Sequence, residues 1–228
     1  MATSIFHGER MRRRVAILIS GRGSNMAALI QAAAAEDFPA EIAVVISNRT
    51  DAAGLGKART AGVPTAIIES RPFGKDRAPF EAALLAVLDQ YQIELICLAG
   101  FMRLFTSQFV ERWQGKMLNI HPSLLPSFPG LDPHGQALRA GVKISGATVH
   151  FVTADTDAGP ILMQGAVAVS DHDSADTLSE RILEVEHRIY PDALRLLASG
   201  AVRLEGDVCK TTASAASGNF LISPLVGA

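Results

Sequence analysis

Three stretches of this chain combine residue types that can do chemistry. In Leu118-Asn119-Ile120-His121-Pro122-Ser123-Leu124-Leu125-Pro126 a strand-like run passes into a loop bounded by prolines. Successive side chains of a strand point to opposite faces, so Asn119 and His121 share one. A side-chain amide donates to a developing oxyanion and an imidazole takes or gives a proton near neutral pH, so the pair suits acyl transfer. A structural histidine beside a turn-forming asparagine is the plainer account of the same residues. Asp155-Thr156-Asp157-Ala158-Gly159-Pro160 follows the strand that carries His150. Acids ahead of Gly-Pro are commonly turn residues. If this loop folds over His121, however, one of the two carboxylates would hold an imidazolium.

The third stretch is Ser20-Gly21-Arg22-Gly23-Ser24-Asn25, between a strand and a helical pattern. Glycines there let backbone N–H groups and a helix dipole approach an anion, although a plain tight turn needs the same residues. Position 26 is Met, not the third glycine of a dinucleotide fingerprint, and Ser47-Asn48-Arg49 offers no acid for an adenosine ribose. Gly54-Leu55-Gly56-Lys57 lacks both the spacing and the following hydroxyl of a Walker A loop. A monophosphate ester is the anion left. His121, His134 and His150 have no zinc-ligand spacing, and no Ser sits in a G-x-S-x-G elbow, so neither a metal site nor a serine nucleophile is expected.

The elements that must position these residues follow from the apolar pattern. Short runs at 15–19, 42–46, 65–68 and 94–98 read as strands with amphipathic stretches between them. That rhythm predicts an α/β fold: a Rossmann-like, mostly parallel twisted sheet with helices on both faces. Residues 147–152 and 161–169 read as additional strands that extend the same sheet. A long closing helix should start near Ser174, because Leu178, Ile182, Val185 and Ile189 form one buried stripe, and Pro191 is expected to kink it. The expected division is an N-terminal extension at 1–14, a single domain at 15–205 and a tail at 206–228, with the small-residue stretch 211–218 read as flexible.

Composition bounds the rest. At 228 residues, with 48 % hydrophobic and 19 % charged residues, the chain has the makings of one large globular domain. Its longest apolar run, near 95–102, is far short of the roughly 18 residues that span a bilayer. The apolar stretch after Met11-Arg12-Arg13-Arg14 is too short for a signal peptide. A net charge of −2 gives no electrostatic reason to expect nucleic acid. Two cysteines, Cys97 and Cys209, make no disulfide framework, which fits a reducing cytoplasm.

The ordered set 19–25, Leu98-Ala99-Gly100-Phe101-Met102-Arg103, Asn119 through Pro126, Val149-His150-Phe151-Val152 and Glu186-His187 through Tyr190-Pro191 resembles the folate-dependent formyltransferase family, in particular the phosphoribosylglycinamide formyltransferases of purine biosynthesis. The likeness covers roughly 15–200. It implies that 10-formyltetrahydrofolate is the co-substrate and the primary amine of glycinamide ribonucleotide the acceptor, with no metal, nucleic acid or membrane involved and room for a homodimer. Residue by residue, it implies a catalytic trio of Asn119, His121 and Asp157, the last chosen over Asp155 because it adjoins Ala-Gly-Pro. Gly23, Ser24 and Asn25 match the family's phosphate loop, and Glu186 matches a carboxylate on the same substrate. Met102, Arg103, Leu104 and Phe105 match the segment that holds the pterin, Asn119 adjoins it, and Arg77 matches a partner for the glutamate tail. One departure stands out, because many members carry His-Thr-His where this chain has Asp132-Pro133-His134. Three rivals share parts of the pattern: a formyltetrahydrofolate deformylase, expected to carry a further domain in front; a nucleotide sensor, which needs no trio; and a tRNA formyltransferase, expected to carry a basic C-terminal domain.

Overall fold

The computed structural model describes residues 12–212 together with 222 and 223. In chain order the elements are β1 (Arg13–Ile19), α1 (Ser24–Ala33), β2 (Ala40–Ser47), α2 (Gly54–Thr60), β3 (Thr65–Ile67), a 3-10 turn at Arg71–Phe73, α3 (Ala78–Gln90), β4 (Leu95–Leu98), α4 (Ser107–Arg112), β5 (Met117–His121), α5 (Pro133–Ala140), β6 (Ile144–Phe151), β7 (Ile161–Ala168), α6 (Ala175–Ala198), β8 (Val202–Glu205), β9 (Val208–Thr211) and β10 (Ile222–Ser223). Eight strands form one sheet in the order β10-β7-β6-β5-β4-β1-β2-β3. The five from β1 to β5 are parallel, and β6, β7 and β10 extend them antiparallel.

The unbroken apolar run of β1 has a direct cause: the strand lies between β2 and β4 with helices over both faces, so it has no solvent side to mark with polar residues. Val15, Ile17 and Ile19 join one core with Met26 and Leu29 of α1, Leu55 of α2 and the buried stripe of α6. Ala16 and Leu18 point the other way, into a second core with Phe80, Leu84 and Leu88 of α3 and Phe109 of α4. The expected strands are therefore present, with ends shifted by a few residues: β2 runs from Ala40 to Ser47, and β6 begins at Ile144.

Helix α6 begins where its sequence says it should, since the Ser174 side chain accepts from the Thr177 backbone while Thr177 returns the bond, a capping box. Leu178, Ile182, Val185 and Ile189 are all buried. The helix passes through Pro191 and ends only at Ala198. The hairpin of β8 and β9 and the short α4 and α5 have no counterpart in the sequence reading. The expected boundary after residue 205 falls in the turn of that hairpin, and Ile222 and Ser223 pair with Gly165 and Gln164 of β7. Residues 1–11, 213–221 and 224–228, which include most of the stretch read as a flexible tail, lie outside the described residues. No described helix is long and apolar enough to cross a membrane.

Tyr190 closes the sheet from the α6 side. It is fully buried, and its hydroxyl lies 3.0 Å from the Leu98 carbonyl and 3.1 Å from that of Leu118, sharing one proton between the neighbouring strands β4 and β5. Removing the hydroxyl leaves both buried oxygens without that donor, so Tyr190→Phe should lower unfolding stability by about 1–3 kcal/mol. Urea midpoints of the two proteins test this; equal midpoints would show that the hydroxyl contributes nothing.

Candidate active site

In chain order β1, β2 and β3 are laid down to one side, and the chain then crosses over to place β4 and β5 on the other, so the crevice beyond the ends of β1 and β4 is the topological switch point where such sheets bind ligands. A cleft of about 740 Å³ lies there. Of the catalytic and binding residues that the resemblance implies, all except Gly23 line it. They reach it from the loops after β1 and β4, from the end of β5, from the 152–160 loop and from α6.

At its centre the antiparallel register pairs Asn119 of β5 with His150 of β6. His150 bonds the Phe151 carbonyl through Nδ1 (2.9 Å), which leaves Nε2 to accept from the Asn119 amide at 3.1 Å. Burial holds His150 below the usual imidazole range, against the opposing pull of the Phe151 carbonyl and Asp157. The neutral ring thus fixes the Asn119 amide and leaves its second N–H for a ligand. Two residues along β5, His121 has Nε2 at 3.0 Å from the Phe128 carbonyl and Nδ1 at 3.4 Å from Asp157 Oδ2. Both ring nitrogens thus face oxygen atoms. Asp157 also accepts from the Gly130 N–H at 2.9 Å and lies 3.8 Å from His150 Nε2. Asp155 lines the cleft, and among the described residues it bonds neither histidine. The prolines' loop is pinned by Thr148, whose hydroxyl donates to the Ser123 carbonyl (2.7 Å) and accepts from the Leu125 N–H (3.0 Å).

At the other end, Gly23 sits at the N-cap of α1 with φ 67° and supplies no side-chain cap. Its conformation is left-handed, and a Cβ there would meet the Gly54 Cα at 2.9 Å, so only glycine fits. The first N–H groups of α1 open beside Ser24 and Asn25 on the cleft wall, as an anion cradle requires. Asn25 Nδ2 donates to Glu186 Oε2 at 2.7 Å, while Asn25 Oδ1 is buried without a partner among the described residues. Burial pushes the Glu186 carboxyl up to about 7, and the bond from Asn25 only partly opposes it.

The loop after β4 forms the third wall. Met102 and Leu104 are exposed at its rim, and Phe105 stacks between Phe101 and Phe109. Its two arginines are already engaged: Arg103 donates to the carbonyls of Gly74 (3.1 Å) and Asp76 (2.7 Å) and lies over the Phe80 ring, and Arg77 donates to the Phe105 carbonyl at 3.1 Å. In this structure both therefore hold loop to loop. Sequence reasoning named Ser20 and Asn48 but not the link by which they join this loop to the cradle: the Met102 N–H donates to Ser20 Oγ (2.8 Å), and Ser20 donates to Asn48 Oδ1 (2.6 Å). It also missed the positioning role of His150, for which the strand pattern alone was the available signal. His134, in the departing tripeptide, lines the cleft with Nε2 buried and without a hydrogen-bond partner among the described residues.

A family model described as formyl transferase matches residues 13–194. The chain belongs to the formyl transferase family. It is 50 % identical over 209 residues to the human trifunctional purine biosynthetic protein adenosine-3, covering 91 % of this chain and 21 % of that protein. It therefore spans about a fifth of that relative's length. It is 38 % identical over 185 residues to phosphoribosylglycinamide formyltransferase of Bacillus subtilis, covering 81 % of this chain and 94 % of that one. Glycinamide ribonucleotide transformylase 1 from Symbiobacterium toebii superposes with a TM-score of 0.84 at 46 % identity, covering 88 % and 94 % of the two chains.

The environment of Glu186 has a measurable consequence. A carboxyl whose folded pKa lies near 7 and whose unfolded pKa is the ordinary one stays protonated in the native state while the unfolded chain has lost its proton. Between those two values the native state binds more protons, so this residue makes stability fall as pH rises from about 4.5 towards 7. Glu186→Gln removes the effect and keeps the shape. Its stability relative to wild type should be greater at pH 8 than at pH 5 in urea titrations; a difference independent of pH would place Glu186 in a solvated setting.

Proposed function

We propose that the protein transfers the formyl group of 10-formyltetrahydrofolate to the primary amine of glycinamide ribonucleotide. The observation that carries this reading is a single cleft holding an oriented amide, an imidazole backed by a carboxylate and, at its far end, a helix N-terminus built for an anion. The names of the relatives agree with it. Gly23, Ser24 and Asn25 would hold the substrate phosphate, and Glu186 with Asn25 its neighbouring polar groups. Met102, Leu104 and Phe105, with the Asn119 end of β5, would seat the pterin, and Arg77 and Arg103 would support that wall. The reducing cytoplasm is the compartment that suits both substrates and the free cysteines.

In the reaction the amine lone pair forms the new N–C bond while the carbonyl pair moves onto oxygen. Asn119 donates its free N–H to that oxygen, which is worth most where charge develops. His121, held by Asp157, stabilises the same charge and passes a proton towards the departing folate nitrogen as the old C–N bond breaks. The attacking nitrogen gives up one proton in exchange, so the balance closes without a covalent enzyme intermediate.

A hydrolase of formylfolate would use water in place of the amine, and kinetics separates the two. Release of folate should depend on the ribonucleotide, followed by the absorbance change of the folate; equal turnover with and without the amine would sink the transferase reading. Two substitutions should then divide the roles. Gly23→Val forces a β-branched side chain into a left-handed position and should raise the KM for the ribonucleotide while sparing that for folate. Asn119→Ala should lower kcat by about 10² to 10³, the loss usual for one oxyanion donor. A Gly23→Val enzyme with an altered folate KM alone would put the phosphate elsewhere.

A further inference from the structure

Asp157 and His121 take their bearings from backbone groups of one short loop, 128–132. The Phe128 carbonyl meets His121 Nε2 at 3.0 Å, and the Gly130 N–H meets Asp157 Oδ2 at 2.9 Å. A loop that short cannot fix two such groups unless something holds its peptides, and α5 does so from outside the cleft. Asp132 sits at its N-cap with φ 55° and accepts from the Gly135 N–H at 3.2 Å. A Cβ at Gly135 would lie 2.3 Å from that carboxylate, so the cap needs glycine there. Both guanidinium nitrogens of Arg139 reach Asp132 Oδ2 at 3.1 Å. Gln136 reaches further: its Nε2 donates to the Pro129 carbonyl at 3.1 Å and to the Leu131 carbonyl at 2.8 Å. These are the two carbonyls on either side of Gly130. The next residue, Ala137, is fully buried in the main core, so the grip is anchored.

We infer that Gln136 is a positioning residue for formyl transfer, which by bridging the carbonyls of Pro129 and Leu131 aims the Gly130 N–H at Asp157 and so sets the carboxylate that holds His121. The inference rests on the reading of Asn119, His121 and Asp157 given above. Gln136 does not line the cleft and touches no reacting atom, so its loss should act on kcat and leave both KM values near wild type. A misplacement of the order of an ångström at a catalytic group costs up to about 10²-fold, which bounds the effect.

The test is a double-mutant cycle with one rescue. Gln136→Met keeps the shape and removes both donors; it should lower kcat about 10- to 100-fold. In the Asp157→Asn background the same change should cost less than about twofold, because the group it positions is already lost, whereas damage spread through the fold would add independently. Gln136→Lys restores a donor to the two carbonyls and should recover most of the rate lost in Gln136→Met. Wild-type kcat in Gln136→Met, the same fold-loss in both backgrounds, or a Lys variant no better than Met would each overturn the inference. If Asp157→Asn alone kept full kcat, the trio itself would fall; if Asp157→Asn lost the rate while Gln136→Met did not, only the role of Gln136 would.

Discussion

The carboxylate of Asp157 is the joint on which the site depends. It accepts from the Gly130 N–H, faces His121 Nδ1 at 3.4 Å and lies 3.8 Å from His150 Nε2. Those partners belong to the loop before α5, to β5 and to β6, and Asp157 comes from the loop between β6 and β7. Four segments separated in sequence therefore converge on one charged group. The sheet makes this possible, because β5 and β6 are antiparallel neighbours whose register sets Asn119 across from His150 and His121 across from Thr148. One pair orients the amide, and the other pins the loop that follows the imidazole.

The two carboxylates of the cleft, half-buried Asp157 and buried Glu186, have different surroundings. Asp157 is met by a backbone N–H and two imidazoles. Glu186 is met by one amide and is otherwise enclosed, so burial dominates and its carboxyl is pushed up to about 7. The same arithmetic acts on the histidines in reverse: burial lowers His150, which keeps the acceptor nitrogen that Asn119 needs. Burial thus discourages charge on Glu186, beside the cradle.

What could be read from the sequence follows from range. β1, β2 and β4 were legible because strands covered on both faces must be apolar throughout, and α6 because its stripe and its Ser174 cap are local signals. Asn119 and His121 were legible as a pair because alternation along a strand is local too. His150 could be placed on a strand but not opposite Asn119, since register is a property of two segments. The hold of Arg77 and Arg103 on backbone carbonyls escaped for the same reason, as did the Asn48-Ser20-Met102 link. Helix α5 was missed because Asp132-Pro133-His134-Gly135 carries no apolar period, only a cap whose partner, the Gly135 N–H, lies in a stretch that looks like a turn.

Backbone strain gives the site its shape. Three non-glycine residues around His121 are left-handed: Phe128 at φ 57°, Asp132 at 55° and Asp157 at 53°. Aspartate tolerates that region better than a bulky side chain does, so Phe128 bears the larger penalty, within about 1–3 kcal/mol for such a conformation. Each of the three sits where a relaxed backbone would misdirect a polar group. Phe128 presents its carbonyl to the His121 ring, Asp132 turns the chain into α5, and Asp157 swings its carboxylate onto the Gly130 N–H and the imidazole. Such conformations persist only when neighbouring contacts over-determine them. Here those contacts are the side chain of Phe128 packed on the main core, the cap and Arg139 on Asp132, and the hydrogen bond from Gly130 on Asp157. The loop is therefore held in one geometry by contacts within the fold itself.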